Sequence, residues 1–242
     1  MIELKKELEV LYDVFFEEMH IDKASGLLEG KNKRFATMPY IGSNYLNAKK
    51  KILFVGLDIG QDEFYEENRF QTFDERNNSV NGPKLSEKNP HIAGTYGTAL
   101  YFLKDIYNWS ESWDILYSQN QFFKQVLEVY GNLLPNEVLS YVSLINYYKF
   151  VTKDRYNRAG AMDRVFLNQT VELDLLVKEI NLLNPDILIF QSLTLRNDFL
   201  IKQLKDKMEL YIGFHPSCFG RYIYKRIPSE YIKHLLEEGK IN

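Results

Sequence analysis

The chain has 242 residues, a length suited to one large domain rather than two. Its 45% apolar and 26% charged residues are those of an ordinary globular protein, and with no run of about 18 apolar residues it offers no membrane-spanning helix. A net charge of −3 excludes a broadly basic surface for gripping duplex DNA, so any nucleic-acid site has to be a local patch.

Residues 3–20 pattern as an amphipathic helix, with Leu8, Leu11, Phe15 and Met19 at helical spacing and acids opposite. The stretch after it, to about residue 50, is rich in Gly, Lys and Asn and reads as a loop with short turns. The expected organisation is a single domain over 1–242 with an N-terminal helical extension of about residues 1–35. Lys51-Ile52-Leu53-Phe54-Val55-Gly56 is continuously apolar and ends in glycine, which predicts a strand buried on both faces of a parallel sheet. Residues 61–90 are polar and poorly periodic; a loop of that length inside a compact domain suggests a functional or a mobile segment. Helical patterns follow over about 96–108 and 119–130. A second strand is predicted from Tyr141 to Ile145 and a helix over 167–183, stopped by Pro185. A third strand runs from Asp186 to Phe190, a helix spans about 195–207, and a fourth strand runs from Glu209 to Phe214. Strands alternating with helices predict an α/β fold, three layers α/β/α around a four-stranded parallel sheet.

Open parallel sheets bind ligands outside the carboxyl ends of their strands. Gly56-Leu57-Asp58-Ile59-Gly60 follows the first predicted strand, Asn146 the second and His215-Pro216-Ser217 the fourth. Taken singly, each is an ordinary turn or capping residue. Together, a carboxylate, a carboxamide and an imidazole at neighbouring strand ends make a candidate active site. His91, just ahead of a helical pattern, reads as a helix cap or as a residue facing the pocket, with capping preferred. The acidic N-terminus argues against a secretory leader. The single Cys218 argues against internal disulfides and cysteine metal clusters, so a cytoplasmic protein is expected.

FVGLDIG, VSLIN and FHPSCFGR, in that order and each on a strand, resemble the motifs of the uracil-DNA glycosylase superfamily over roughly residues 38–221. The resemblance implies a base-excision enzyme that hydrolyses the N-glycosidic bond of uracil or a related damaged or modified base in DNA, with no cofactor and no metal. It implies that Asp58 orients the attacking water and stabilises positive charge on the sugar. It implies that Asn146 reads the flipped base, and that His215 donates a hydrogen bond to the base oxygen as charge builds there. Gly56, Leu57, Gly60 and Ser217 fall in the substrate-binding motifs; Phe70 or Phe73 is placed to stack on the base, and Phe219 to fill the vacated stack. The chain departs from the uracil-specific branch at Leu57, at Ile59 in place of proline, and at Gly60 in place of tyrosine, which widens the expected pocket. Gly60-Gln61-Asp62 repeats part of that branch's motif but lies too far past the strand.

Two basic stretches interleaved with tyrosines, Lys149 to Arg164 and Arg221 to Lys233, suggest contacts to single- or double-stranded DNA through Lys149, Arg155, Arg158 and Arg221. The acidic run from Asp62 to Arg76 argues the other way. Three alternatives stay open: a protein with the glycosylase fold that binds a modified base or nucleic acid with little or no turnover, a hydrolase of free nucleosides or nucleotides, and an interaction protein.

Overall fold

The computed structural model of the chain describes residues 1–57, 70–81, 90–152, 164–218 and 220–241. It is a mixed α/β structure whose sheet has six strands in the order β2-β4-β3-β6-β7-β8. These are β2 (Tyr40–Ile41), β3 (Ile52–Gly56), β4 (Val142–Asn146), β6 (Ile187–Phe190), β7 (Glu209–Ile212) and β8 (Lys240–Ile241). β3, β4, β6 and β7 run parallel, while β2 and β8 pair antiparallel at the two edges. The expectation of a four-stranded, purely parallel sheet is therefore corrected to a six-stranded mixed one. Two-residue edge strands lack the periodicity that betrays longer ones. A separate two-stranded sheet joins β1 (Lys33–Phe35) to β5 (Phe150–Thr152).

All five residues of β3 are buried, and successive side chains enter opposite cores. Ile52 and Phe54 meet one layer, which includes α3 (Pro90–Leu103), α4 (Ser110–Ser118), α5 (Phe123–Tyr130) and α8 (Pro228–Glu237). Leu53 and Val55 meet the other, built from α1 (Ile2–Glu18), α6 (Gln169–Leu183) and α7 (Asp198–Leu204). Two-sided burial is why these strands read as continuous apolar runs.

The helix from residue 90 begins a turn and a half earlier than its apolar pattern suggests. Gly94 and Gly97 are weak helix formers, and they obscure those first turns in the sequence. Their lack of a side chain is used for close packing: a Cβ on Gly94 would lie 2.4 Å from Pro216 Cβ. The helix stops at Leu103, and Asn108 takes a left-handed conformation (φ 60°) before α4, which lies outside the predicted elements. So do α8 and α2 (Phe73–Val80), the latter interrupting the long polar stretch. α2 is opened by a capping box in which Thr72 and Glu75 bond each other's backbone amides.

The N-terminal helix is built into the core. Leu4 and Leu8 join the α6 side of the sheet, while Tyr12, Phe15 and Phe16 form an aromatic cluster with Phe35 and Phe150. A buried polar link reinforces this docking: the Tyr12 hydroxyl and the Lys149 ammonium both donate to the Glu179 carboxylate. Among the described residues no helix is long and apolar enough to cross a membrane.

Candidate functional site

The register of the parallel strands brings their carboxyl ends level. Gly56 lies beside Asn146, and Val55 beside Phe190, which pairs in turn with Ile212. The residues at these ends build one cluster. Asn146 closes β4, Gln191 follows β6, His215 follows β7, and His91 enters from the first turn of α3. The imidazoles of His91 and His215 stack, with centroids 5.1 Å apart and planes inclined by 27°. His91 lies against the glycine that ends β3: a Cβ there would come within 3.4 Å of its Nε2 and 3.9 Å of Asn146 Oδ1. A methyl at Gly56 would meet the ring only at ordinary van der Waals distance.

Hydrogen bonds fix the polarity of the cluster. The Ser217 backbone N–H donates to His215 Nδ1 at 3.1 Å, so the neutral ring carries its proton on Nε2 and offers a donor. Thr95 spends its hydroxyl proton on the His91 carbonyl (2.9 Å) and therefore accepts from Gln191 Nε2 (2.8 Å). That fixes the Gln191 amide with Oε1 turned to the other side. Gln191 Oε1 lies beside His91, near enough to favour its protonated form, yet makes no well-formed hydrogen bond. Asn146 Nδ2 is likewise buried and finds no hydrogen-bond partner among the described residues. A donor and an acceptor therefore stand unspent on the two strands that flank Gly56.

Both imidazoles are held neutral. Burial pushes His91 down to about 4, with the nearby Arg76 guanidinium assisting and Gln191 opposing. Burial pushes His215 down to about 3, aided by His91 and Arg164. His91 also sits at a helix N-terminus, where the backbone dipole disfavours a cation. A neutral imidazole is a weaker acid than an imidazolium, but its one N–H can still donate a hydrogen bond to a developing oxyanion.

The loop bearing His215 is tied down on both sides. Pro216 abuts Gly94 of α3, and the Cys218 thiol donates to the Tyr222 carbonyl at 3.1 Å. Tyr222 belongs to a 3-10 segment, Gly220–Arg226, packs against Phe214, and lies under the Arg221 guanidinium at 4.7 Å. Arg221, Tyr222 and Tyr224 are exposed there.

The remaining expectations divide. Asp58, Gly60, Arg155, Arg158 and Phe219 lie outside the described residues. Gly56, Asn146 and His215 come together, and Ser217 joins them through its backbone amide. Leu57 is buried in the core on the α6 side of the sheet. Phe70 packs edge-on against Phe16 (5.5 Å) and Phe35 (5.4 Å), and Phe73 is buried in α2 with Lys5 over its ring. Both rings serve packing, so neither is free to stack on a base as expected. Lys149 is 2% exposed and bonded to Glu179, which corrects its expected role as a nucleic-acid contact. The polar run after β4 hides this, because burial of a lysine depends on a partner 30 residues away.

His91 belongs to the cluster: of the two readings open to it, its ring takes the pocket-facing one rather than the preferred capping role. Gln191 carries a single sequence signal, its place immediately after an apolar strand run. Among the described residues no group of His, Cys, Asp and Glu is arranged to hold a metal ion. Comparison of the chain with protein-family models, with curated proteins and with solved structures finds no match.

Proposed function

We propose that the chain is a monofunctional DNA-base glycosylase acting on uracil or a related modified base. The observation that carries this reading is His215. It is a neutral imidazole at a strand end, with Nδ1 bonded to a backbone amide and the Nε2–H left to donate, and the unspent Asn146 Nδ2 belongs to the same cluster. A base leaving with its bonding electrons needs donors aimed at its oxygens, and both groups supply them. The carboxylate that would complete the chemistry is Asp58, on the motif resemblance. The exposed Arg221–Tyr222–Tyr224 segment beside His215 favours a nucleic-acid polymer over a free nucleoside.

The test is base release from single- and double-stranded oligonucleotides carrying uracil, hydroxymethyluracil, hypoxanthine or a thymine mismatch. The wild type is expected to free at least one base, and His215→Ala to slow that release by about 10²–10³-fold, the cost of one aimed donor. Asp58→Ala should abolish it. A wild type that frees no base from any substrate turns the reading over. Tight binding to a modified base in that case supports the second reading, a binder without turnover, which the burial of the unpartnered Asn146 Nδ2 and Gln191 Oε1 favours.

A further inference from the structure

The His91 ring makes the contacts that a flat ligand would make at this site. One face stacks on His215, its Nε2 edge rests on Gly56, and buried amides stand at the neighbouring strand ends. It answers them poorly: Asn146 Nδ2 has no partner, and Gln191 Oε1 has no well-formed bond. Buried polar atoms left unpaired are unfavourable, so a ring that satisfied both would be preferred in the same place. His91 lies in the first turn of α3, where it can leave by rotating about its side-chain torsions while Ile92 and the residues after it stay packed.

We infer that His91 holds the slot that a planar heterocycle takes on binding, that its ring swings out to admit the ligand, and that Gln191 then reads the ligand's edge together with Asn146. This rests on the proposed function for the kind of ligand and adds to it how the site opens and which residue selects. Asn146 Nδ2 is a donor and Gln191 Oε1 an acceptor, so the edge the two amides fit carries an acceptor beside an N–H donor, while the ligand's face lies on His215. A cyclic imide presents that edge. Thr95 keeps the Gln191 amide from flipping, because its hydroxyl proton is already given to the His91 carbonyl. A ligand with a methyl on the ring nitrogen loses the Gln191 bond and meets a wall.

The experiment measures binding of free uracil and of 3-methyluracil to the full chain by calorimetry, in the wild type, His91→Ala and His91→Phe. A slot filled by its own side chain weakens apparent affinity by the fraction of time it stays filled. His91→Ala should therefore bind uracil about tenfold more tightly than the wild type or better, and His91→Phe, with a larger ring in the slot, more weakly. 3-Methyluracil should bind His91→Ala at least about tenfold more weakly than uracil, since a site built to pair an N–H rejects the analogue without one. Adding Gln191→Leu to His91→Ala should cost uracil a similar factor. Uracil binding that is no tighter in His91→Ala, or equal binding of the two ligands, overturns the inference.

Should His91→Ala fail to fold, the histidine ring signals of the wild type give the answer by NMR. Added uracil should shift both His91 and His215, as the stack between them is broken. A His91 signal that stays put while His215 moves, or two signals that stay put up to the solubility of uracil, overturns it. None of these readouts needs base release. A chain that binds as described but frees no base keeps this inference and loses the glycosylase reading; a chain that frees uracil with no gain in His91→Ala does the reverse.

Discussion

The neutrality of His91 and His215 makes them sensors of acid. Their folded values, about 4 and about 3, lie below the ordinary 6.5 of a histidine. The unfolded chain therefore binds more protons than the folded one between those limits, and stability falls as pH drops below about 6.5. Glu172 works against this. It is fully buried, bonds the backbone amides of Leu167 and Asn168, and is pushed up by burial to about 7 from 4.5. Its contribution is present below about 4.5 and is lost as pH rises through about 7. The two effects overlap, so a single melting curve cannot separate them, but differences can. The melting temperature of the wild type minus that of His215→Gln should fall as the pH is lowered from about 7 to about 4.5, since only the wild type carries that histidine's acid sensitivity. The same difference for Glu172→Gln should move in the opposite direction. A difference that is flat across the window in either case removes the corresponding assignment.

Among the elements, the approach of α3 to the His215 loop carries the site. Gly94 touches Pro216 so closely that a methyl there has no room, with 2.4 Å to a carbon. Gly94→Ala should cost about 1–3 kcal/mol by overpacking, despite alanine's better helix propensity. It should also separate His91 from His215, readable as loss of the mutual ring-current shift of their signals. An alanine variant as stable as the wild type, with its stack intact, would show that the loop yields freely. The docking of α1 on α6 depends on a different device. Lys149 and Glu179 are 2% and 1% exposed and share a network with Tyr12. Removing one partner strands a buried charge, so Lys149→Ala should destabilise by about 3–5 kcal/mol in chemical denaturation. Lys149→Met with Glu179→Leu should recover most of that, because neither charge is then left alone. Oligonucleotide binding by folded Lys149→Ala should keep the wild-type salt dependence, since a buried lysine touches no phosphate.

For the molecule as a whole, a net charge of −3 limits how it can hold nucleic acid. On the proposed reading, affinity comes from a few cations rather than a general field, and Arg221 and Lys225, which accompany exposed Tyr222 and Tyr224, are the candidates. Each phosphate contact adds about 0.9 to the slope of log affinity against log salt on duplex and about 0.7 on a single strand. Arg221→Ala with Lys225→Ala should lower that slope by about 1.4 on a single strand and leave the melting temperature nearly unchanged. Tyr222→Ala should weaken binding with little change in slope, because stacking releases no counterions. An unaltered slope in the double variant moves the nucleic-acid face elsewhere.

The parallel strands and most of the helices were legible in the sequence, because burial on both faces leaves continuous apolar runs and one-sided burial leaves a helical stripe. So were Gly56, Asn146 and His215 as strand-end residues, since chain order and strand context place them on one edge. The edge strands β2 and β8 were not legible, being too short to carry a period, and neither was the early start of α3, whose glycines answer to Pro216 and Phe123 rather than to helix propensity. What only the tertiary structure decided is which polar groups are spent. Lys149 is consumed by Glu179, Phe70 and Phe73 by packing, and Ser217's amide by His215, while Asn146 Nδ2 and Gln191 Oε1 are left over. A hydrogen-bond account closes only when partners distant in sequence are brought together, so residue type and spacing alone leave it open.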